Sequence, residues 1–294
     1  MTVVGYLVNA ISLGALYALI AVSVGLVFAV LRQINLAQGE VMAFGAYSLW
    51  LMRSLPIWLA IVLCFAICIA GSLVLQVAVF RPLRGASALA TLIVTFGVSY
   101  GLEALWLVVF GPNGKPVSML IRLNNTVIGG AIALRWITIV DIGAAALLLG
   151  GLYALLFRSS LGLRMRAVAE DFSTARIVGV RIERVVTVAF VLCGASAAVV
   201  AVLETVQTPL VTTTLGLSLI VVALVGVVLG GLDHLGRATA GGFIVGFVNS
   251  LLGSVLPEQQ LVFVTSLTFL FVVIVLVVRP AGLLAPRGVG VERV

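Results

Sequence analysis

The chain has 294 residues, of which 63% are hydrophobic and 9% charged, and its mean hydropathy is +1.31. Soluble domains carry about 45–50% apolar and about 25% charged residues, so this composition cannot cover a water-exposed surface and indicates an integral membrane protein. Seventeen Lys+Arg against ten Asp+Glu give +7, but the basic residues, sixteen of them arginine, stand between apolar runs and not with aromatics in a groove, which argues against nucleic acid as a partner.

A helix needs about 20 apolar residues to cross the hydrocarbon core. Residues 5–31 form the first such run. No basic segment precedes it and it exceeds an h-region of about 7–15 residues, so it reads as a span that stays, not a cleaved leader. Further membrane segments are expected at 35–52, 56–80, 88–110, 137–157, 185–206, 215–232, 238–256 and 261–279. The segments at 35–52 and 215–232 are short, and the former opens on Asn35, Gln38 and Glu40. Both fit re-entrant or broken helices, which are tolerated where protein or a water-filled cavity shields the backbone. The expected fold class is an all-α integral membrane protein, a polytopic bundle of about nine (eight to ten) transmembrane or re-entrant helices forming a single domain over residues 1–294.

Assigning alternate loops to opposite sides places Arg32, Arg81, Arg84, Arg158, Arg164, Arg166, Arg176, Arg181, Arg184, Arg237, Arg279, Arg287 and Arg293 together. The other side receives Arg53, Lys115, Arg122 and Arg135. The positive-inside rule makes the first side cytoplasmic, so the N-terminus is expected outside and the C-terminus in the cytoplasm. Residues 111–136, with turn formers in GPNGKP, become the main outside loop, and residues 158–184 the main inside loop.

Cys64, Cys68 and Cys193 lie inside apolar runs and read as small packing residues. With one histidine in the chain, no metal site and no cofactor is expected. The pairs Gly97/Gly101, Gly226/Gly230 and Gly242/Gly246 have the small-xxx-small spacing that lets helix backbones approach in lipid. The only lysine, Lys115, is followed by proline and lacks the glycine spacing of a P-loop, so nucleotide hydrolysis by that route is not expected. Asp233 and His234 lie in a glycine-rich interhelical turn with no nucleophile pattern beside them, and no catalytic residue is assigned.

Within the inside loop, Leu163–Val178 is long enough for a short helix with Gly179 as its C′ residue. Val168, Phe172, Ala175 and Gly179 would share a small apolar face, with Arg164, Arg166, Glu170, Asp171 and Arg176 on the polar remainder. Such a helix either lies on lipid headgroups or docks on a soluble partner; its small face favours close approach to protein. Glu40, Glu103 and Glu204 fall in or near apolar segments, where a charge marks a pathway or a pairing, unless it reaches headgroup water. Thr91, Thr95 and Ser99 recur every fourth residue, and either bond locally or to neighbouring helices, or line a translocation path.

The run Asn35-Leu36-Ala37-Gln38-Gly39-Glu40 with Gly45-Ala46-Tyr47 resembles a signature of the branched-chain amino acid ABC transporter permeases. So do Arg81-Pro82-Leu83-Arg84-Gly85-Ala86-Ser87, the Thr91–Ser99 run and Arg279-Pro280-Ala281-Gly282-Leu283. The segment containing Arg166, Ala169, Glu170, Asp171, Ala175 and Gly179 resembles that family's ATPase-coupling segment, and the match in order and spacing spans nearly the whole chain. The resemblance implies an importer subunit in the cell inner (cytoplasmic) membrane. It would pair with a second homologous permease, usually as a heterodimer, sit on two cytoplasmic ABC ATPase subunits, and take solute from a periplasmic or tethered solute-binding protein. It also makes Asn35, Gln38, Glu40, Thr91, Thr95 and Ser99 candidates for the translocation path. One departure stands out: family members often carry histidine where this chain has Gln38.

Related permeases carry urea or short-chain amides, and physics does not separate these solutes in the sequence. A different class, the ion-coupled secondary transporter, would usually show intramembrane carboxylates or broken helices paired between two halves. A structural subunit of a redox assembly would be expected to offer several midspan lysines or histidines, which this chain lacks.

Overall fold

The computed structural model describes residues 3–83, 85–119, 121–128, 134–231, 234–279 and 282–284. Arg84, Asp233, Pro280, Ala281, Arg287 and Arg293 lie outside the described residues, as does the side chain of Phe172.

Eleven α-helices account for most of the described chain: α1 (Val3–Leu31), α2 (Gln38–Leu51), α3 (Ile57–Leu75), α4 (Ala88–Phe110), α5 (Trp136–Arg158), α6 (Ser160–Glu170), α7 (Phe172–Ile177), α8 (Ile182–Gln207), α9 (Leu215–Gly230), α10 (Leu235–Val255) and α11 (Val264–Val278). Helix α3 continues as a π-helical turn over Gln76–Phe80, and a 3-10 segment, Glu258–Phe263, leads into α11. Seven of these helical stretches are long and apolar enough to cross a membrane. In lipid the backbone must satisfy itself, and uninterrupted helix is the way an apolar run does so.

Helices α2 and α9 differ. At 14 and 16 residues they measure about 21 and 24 Å, short of the roughly 30 Å hydrocarbon core. These are the two segments expected to be short, and the structure shows why. Gln38, the first residue of α2, donates to Ser23 Oγ (3.0 Å) and to the carbonyl of Cys193 (3.1 Å). Ser23 lies eight residues before the end of α1, a depth of about 12 Å. Residues 33–37 therefore run back into the bundle as non-helical chain before α2 starts. Asn35 organises that return: its side-chain oxygen accepts from the Ala37 amide (3.1 Å) and its amide reaches Gln38 Oε1 (3.4 Å). Such side-chain-to-backbone bonds compete with helix. Helix α9 starts beside α2, since a Cβ on Gly39 would sit 2.1 Å from the Gly216 carbonyl oxygen. The chain before α9 is extended, with Leu210–Val211 pairing antiparallel with Lys115–Pro116. The two short helices leave this junction toward opposite ends. Helix α2 ends where Trp50 lies under Arg53 and Lys115, and α9 ends where the Leu283 amide bonds the Leu229 carbonyl.

Helix α1 is the hub, packed most heavily on α10 and then on α8, α9 and α5. Glycine permits the closest approaches. A Cβ on Gly230 would lie 1.9 Å from the Arg237 carbonyl oxygen, and one on Gly246 would lie 2.5 Å from that of Leu13. The pairs Gly226/Gly230 and Gly242/Gly246 thus pack α9, α10 and α1 together. Gly97 and Gly101 on α4 have nothing within 4 Å of the Cβ position and face outward. The three cysteines are buried, with Cys64 and Cys68 of α3 beside Gly45 of α2, as small packing residues would be.

Candidate functional site

Of six candidates, Asn35, Gln38, Glu40, Thr95 and Ser99 come together at the junction of α1, α2, α4, α8 and α9, and Thr91 stands one turn before Thr95 on α4. All are at most 2% exposed. Glu40 stands in the first turn of α2 and accepts from Ser99 Oγ (3.2 Å) on one oxygen and from Trp106 Nε1 (2.8 Å) on the other. It also abuts the first turn of α9: a Cβ on Gly216 would fall 2.5 Å from Glu40 Oε1. Two helix N-termini, each carrying about half a positive charge, thus converge on one buried carboxylate. An unpaired charge here would cost about 2.5–3.5 kcal/mol on insertion scales; the two donors and two helix ends offset that.

The remaining polar groups serve the same junction. Thr95 Oγ1 bonds the Leu92 carbonyl (3.1 Å) and accepts from the Leu36 amide (3.3 Å), holding the re-entrant chain against α4. Thr91 Oγ1 bonds back to the Ser87 carbonyl (3.4 Å). With Trp106, these three hydroxyl residues are the buried positions of α4. Gln38 uses its amide to join α1 to α8 and is 0% exposed. None of the six lines any of the three principal cavities. Within one subunit the arrangement joins two half-length helices at a buried carboxylate.

Sequence reasoning missed the partners at this joint. Trp106 lies 66 residues from Glu40, and no local pattern links them. It also missed Asp141 of α5, whose Oδ2 accepts from Ser12 Oγ and Gln207 Nε2, both at 2.6 Å, while Oδ1 is buried without a hydrogen-bond partner among the described residues. Asp141 sits in the apolar run Ile139-Val140-Asp141-Ile142, so the reasoning applied to Glu40 would have found it. Ser12 and Gln207 also line a cavity of about 310 Å³ with Asn9, Arg135, Thr138 and Asn249, at the end of the bundle opposite Arg32. Glu103 has a buried Oε2 with no partner among the described residues, so that oxygen does not reach headgroup water within this chain.

The loop over 158–184 corrects the expectation of one helix over Leu163–Val178. It forms two, α6 and α7, broken at Asp171, whose backbone is extended (φ −152°, ψ 116°). Asp171 begins the second helix: its carbonyl accepts from the Ala175 amide (3.0 Å), and its side chain accepts from Thr174 Oγ1 (2.5 Å). Aspartate favours this role because its side chain competes for helix donors. Gly179 does close the helix, at φ 83°, with the Val180 amide bonded to the Ala175 carbonyl (3.0 Å) and its own amide to Arg176 (3.1 Å), a Schellman pair. The expected small outer face is also corrected. Val168 (0% exposed) and Ala175 (2%) turn in toward the bundle, where α6 and α7 pack on α8. Arg166, Glu170, Asp171 and Gly179 are exposed and Ala169 half-buried. The most exposed apolar residues described in the loop are Ile177 and Val178, at 85% and 72% exposure, followed by Leu163 at 63%.

Relatives resemble this chain along nearly its whole length. It is 27% identical to the high-affinity branched-chain amino acid transport system permease protein BraD of Pseudomonas aeruginosa, over 95% of this chain and 94% of that protein. It is 28% identical to the high-affinity branched-chain amino acid transport system permease protein LivH of Escherichia coli K12, and equally to that of Salmonella typhimurium, each over 94% of this chain and 93% of the relative. No solved structure matches the chain. With residues 6–278 matching the family described as branched-chain amino acid transport system / permease component, the chain belongs to that family.

Proposed function

We propose that this chain is a membrane subunit of an ATP-driven importer and forms part of the translocation path for branched-chain amino acids. The observation that carries the reading is the loop of α6 and α7: a folded two-helix element at the arginine-rich end, with polar groups and Ile177–Val178 facing outward. Family membership supplies the partner it suits, one of two cytoplasmic ATPase subunits. By the positive-inside rule the arginine-rich end is cytoplasmic, with the N-terminus outside, nine membrane segments including the half-length α2 and α9, and the C-terminus inside. Arg166, Ala169, Glu170, Asp171 and Gly179 make up the coupling surface, while Ala175 anchors it to the subunit. Solute from a binding protein meets the polar cavity between Ser12, Arg135 and Gln207 first. The Glu40 joint is where the half-helices α2 and α9 part or close as the ATPases act, giving alternating access. The outward glycine face of α4 supports pairing with a second permease, because Gly97 and Gly101 allow a close helix crossing that this chain does not itself fill.

Affinity purification from the native membrane in mild detergent tests this reading. Nucleotide-binding subunits and a second hydrophobic subunit should copurify, and hydrolysis should rise with binding protein loaded with leucine, isoleucine or valine. Stimulation by urea or a short-chain amide alone would replace the solute. Recovery of a lone chain that transports in liposomes on an ion gradient would overturn the ABC reading.

A further inference from the structure

The arginine-rich end holds a cavity of about 900 Å³ between α1, α5, α6 and α10, whose interior the transport reading does not use although Arg166, Ala169 and Glu170 of the coupling surface stand on its α6 side. Its walls are apolar, built from Leu26 and Val22 on α1 and Leu149, Leu152 and Leu156 on α5. Val22 lies ten residues before Arg32, so the wall reaches about 15 Å along α1 from the basic mouth. Arg32, Arg166 and Arg237 stand around that mouth with His234, and Glu170 is the one carboxylate among the described lining residues.

Two of those arginines are held in place. Arg166 lies over the Phe157 ring, 5.1 Å from its centroid, on the cavity wall. Arg237, half-buried, also lines the cavity, and its Nη1 is buried with no hydrogen-bond partner among the described residues. Buried donors are normally satisfied. A free phosphate would satisfy it but has no use for an apolar wall. A neutral lipid would fill the wall but has no use for three guanidiniums. A ligand with an anionic phosphate at one end and hydrocarbon at the other satisfies both, and basic pockets between membrane helices suit such headgroups.

We propose that this cavity binds an anionic glycerophospholipid of the leaflet at the arginine-rich end, with the phosphate on Arg32, Arg166 and Arg237 and an acyl chain along α1 and α5. Because α6 forms one side of the cavity, the bound lipid ties the loop to the membrane domain. The inference stands on the cavity alone and does not depend on the solute or the ATPase partner.

The test is native mass spectrometry of the purified, delipidated assembly after incubation with phosphatidylglycerol or phosphatidylcholine. Phosphatidylglycerol should be retained about tenfold better. Arg237→Gln and Arg32→Gln, singly and together, should bring its retention toward that of phosphatidylcholine. Ala29→Phe, which fills the apolar wall and leaves every arginine, should lower retention of both lipids. Equal retention of the two lipids by the unmodified protein, which involves no variant, would overturn the proposal. So would full retention in Ala29→Phe, since that means surface attraction alone. Displacement of the lipid by an equal concentration of inorganic phosphate would mark a free-anion site instead.

Discussion

Helices α1 and α4 are both unbroken and apolar, yet they live in opposite surroundings. In α1, 78% of the most apolar window is buried inside the chain; in α4 the figure is 17%. The residues that α4 turns inward are Thr91, Thr95, Ser99 and Trp106, and those it turns outward include Ile93, Phe96, Tyr100 and Val108. It is polar toward the protein and apolar toward the surroundings, the reverse of a soluble helix, because lipid gives no hydrophobic reward for burying leucine and penalises an unpaired hydroxyl. The glycine pairs follow the same division. Around α1 they are filled by neighbouring backbone; on α4 they are left open. A Gly-xxx-Gly spacing therefore states that a close approach is possible, and position in the bundle decides whether this chain or another supplies the neighbour.

The largest effect is expected from breaking the closed side. Gly241→Leu places a side chain where a Cβ already lies 2.1 Å from the Gly226 carbonyl oxygen. No monodisperse subunit should survive size-exclusion in detergent, and a normal peak with normal uptake would show that the packing is wrong. Removing the α2 carboxylate that the polar inner face of α4 meets comes next. Glu40→Leu strands the Ser99 and Trp106 donors, each costing about 1–3 kcal/mol, so the melting temperature should drop by several degrees; Glu40→Gln, which keeps one acceptor, should fall between Leu and the native residue. The loop offers an inward–outward pair of its own. Ile177→Glu should leave membrane level and melting temperature unchanged while cutting solute-stimulated ATP hydrolysis about tenfold, the loss of roughly 1.4 kcal/mol of coupling contact. Ala175→Arg should instead destabilise the loop, read as faster proteolysis within 158–184. On the open side, Gly97→Leu with Gly101→Leu should leave the stability of the isolated chain within about 0.5 kcal/mol of native, as surface substitutions do, but reduce recovery of the second permease. Unchanged recovery would move the pairing face off α4. Gly179→Ala, where φ is 83°, should cost about 1–2 kcal/mol in loop stability and slow, without stopping, transport.

Much of the site was legible because membrane sequences penalise polar residues strongly. Asn35, Gln38 and Glu40 stood out at the head of a short apolar segment, and the structure gathers them with Thr95 and Ser99. What they do was not legible. The spacing of three hydroxyls along α4 serves a channel wall and a helix joint equally well, and the contact of Ser99 with Glu40 spans 59 residues, beyond the reach of any local pattern. Asp141 carried the same signal as Glu40 and was passed over. In the loop, periodicity placed Val168 and Ala175 on one face correctly but could not say whether that face meets its own bundle or a partner, since small apolar residues suit either.

The sequence by itself determined the membrane class, the apolar segments, the two short ones among them, the helix end at Gly179 and the family, because each depends on local composition, length or an ordered motif. Tertiary structure decided that α2 and α9 begin at one buried carboxylate, that Gln38 joins α1 to α8, that Asp171 splits the loop helix, and which glycine pairs are filled. Those outcomes depend on atoms far apart in the chain meeting within about 3 Å, and no periodicity along one segment encodes that meeting.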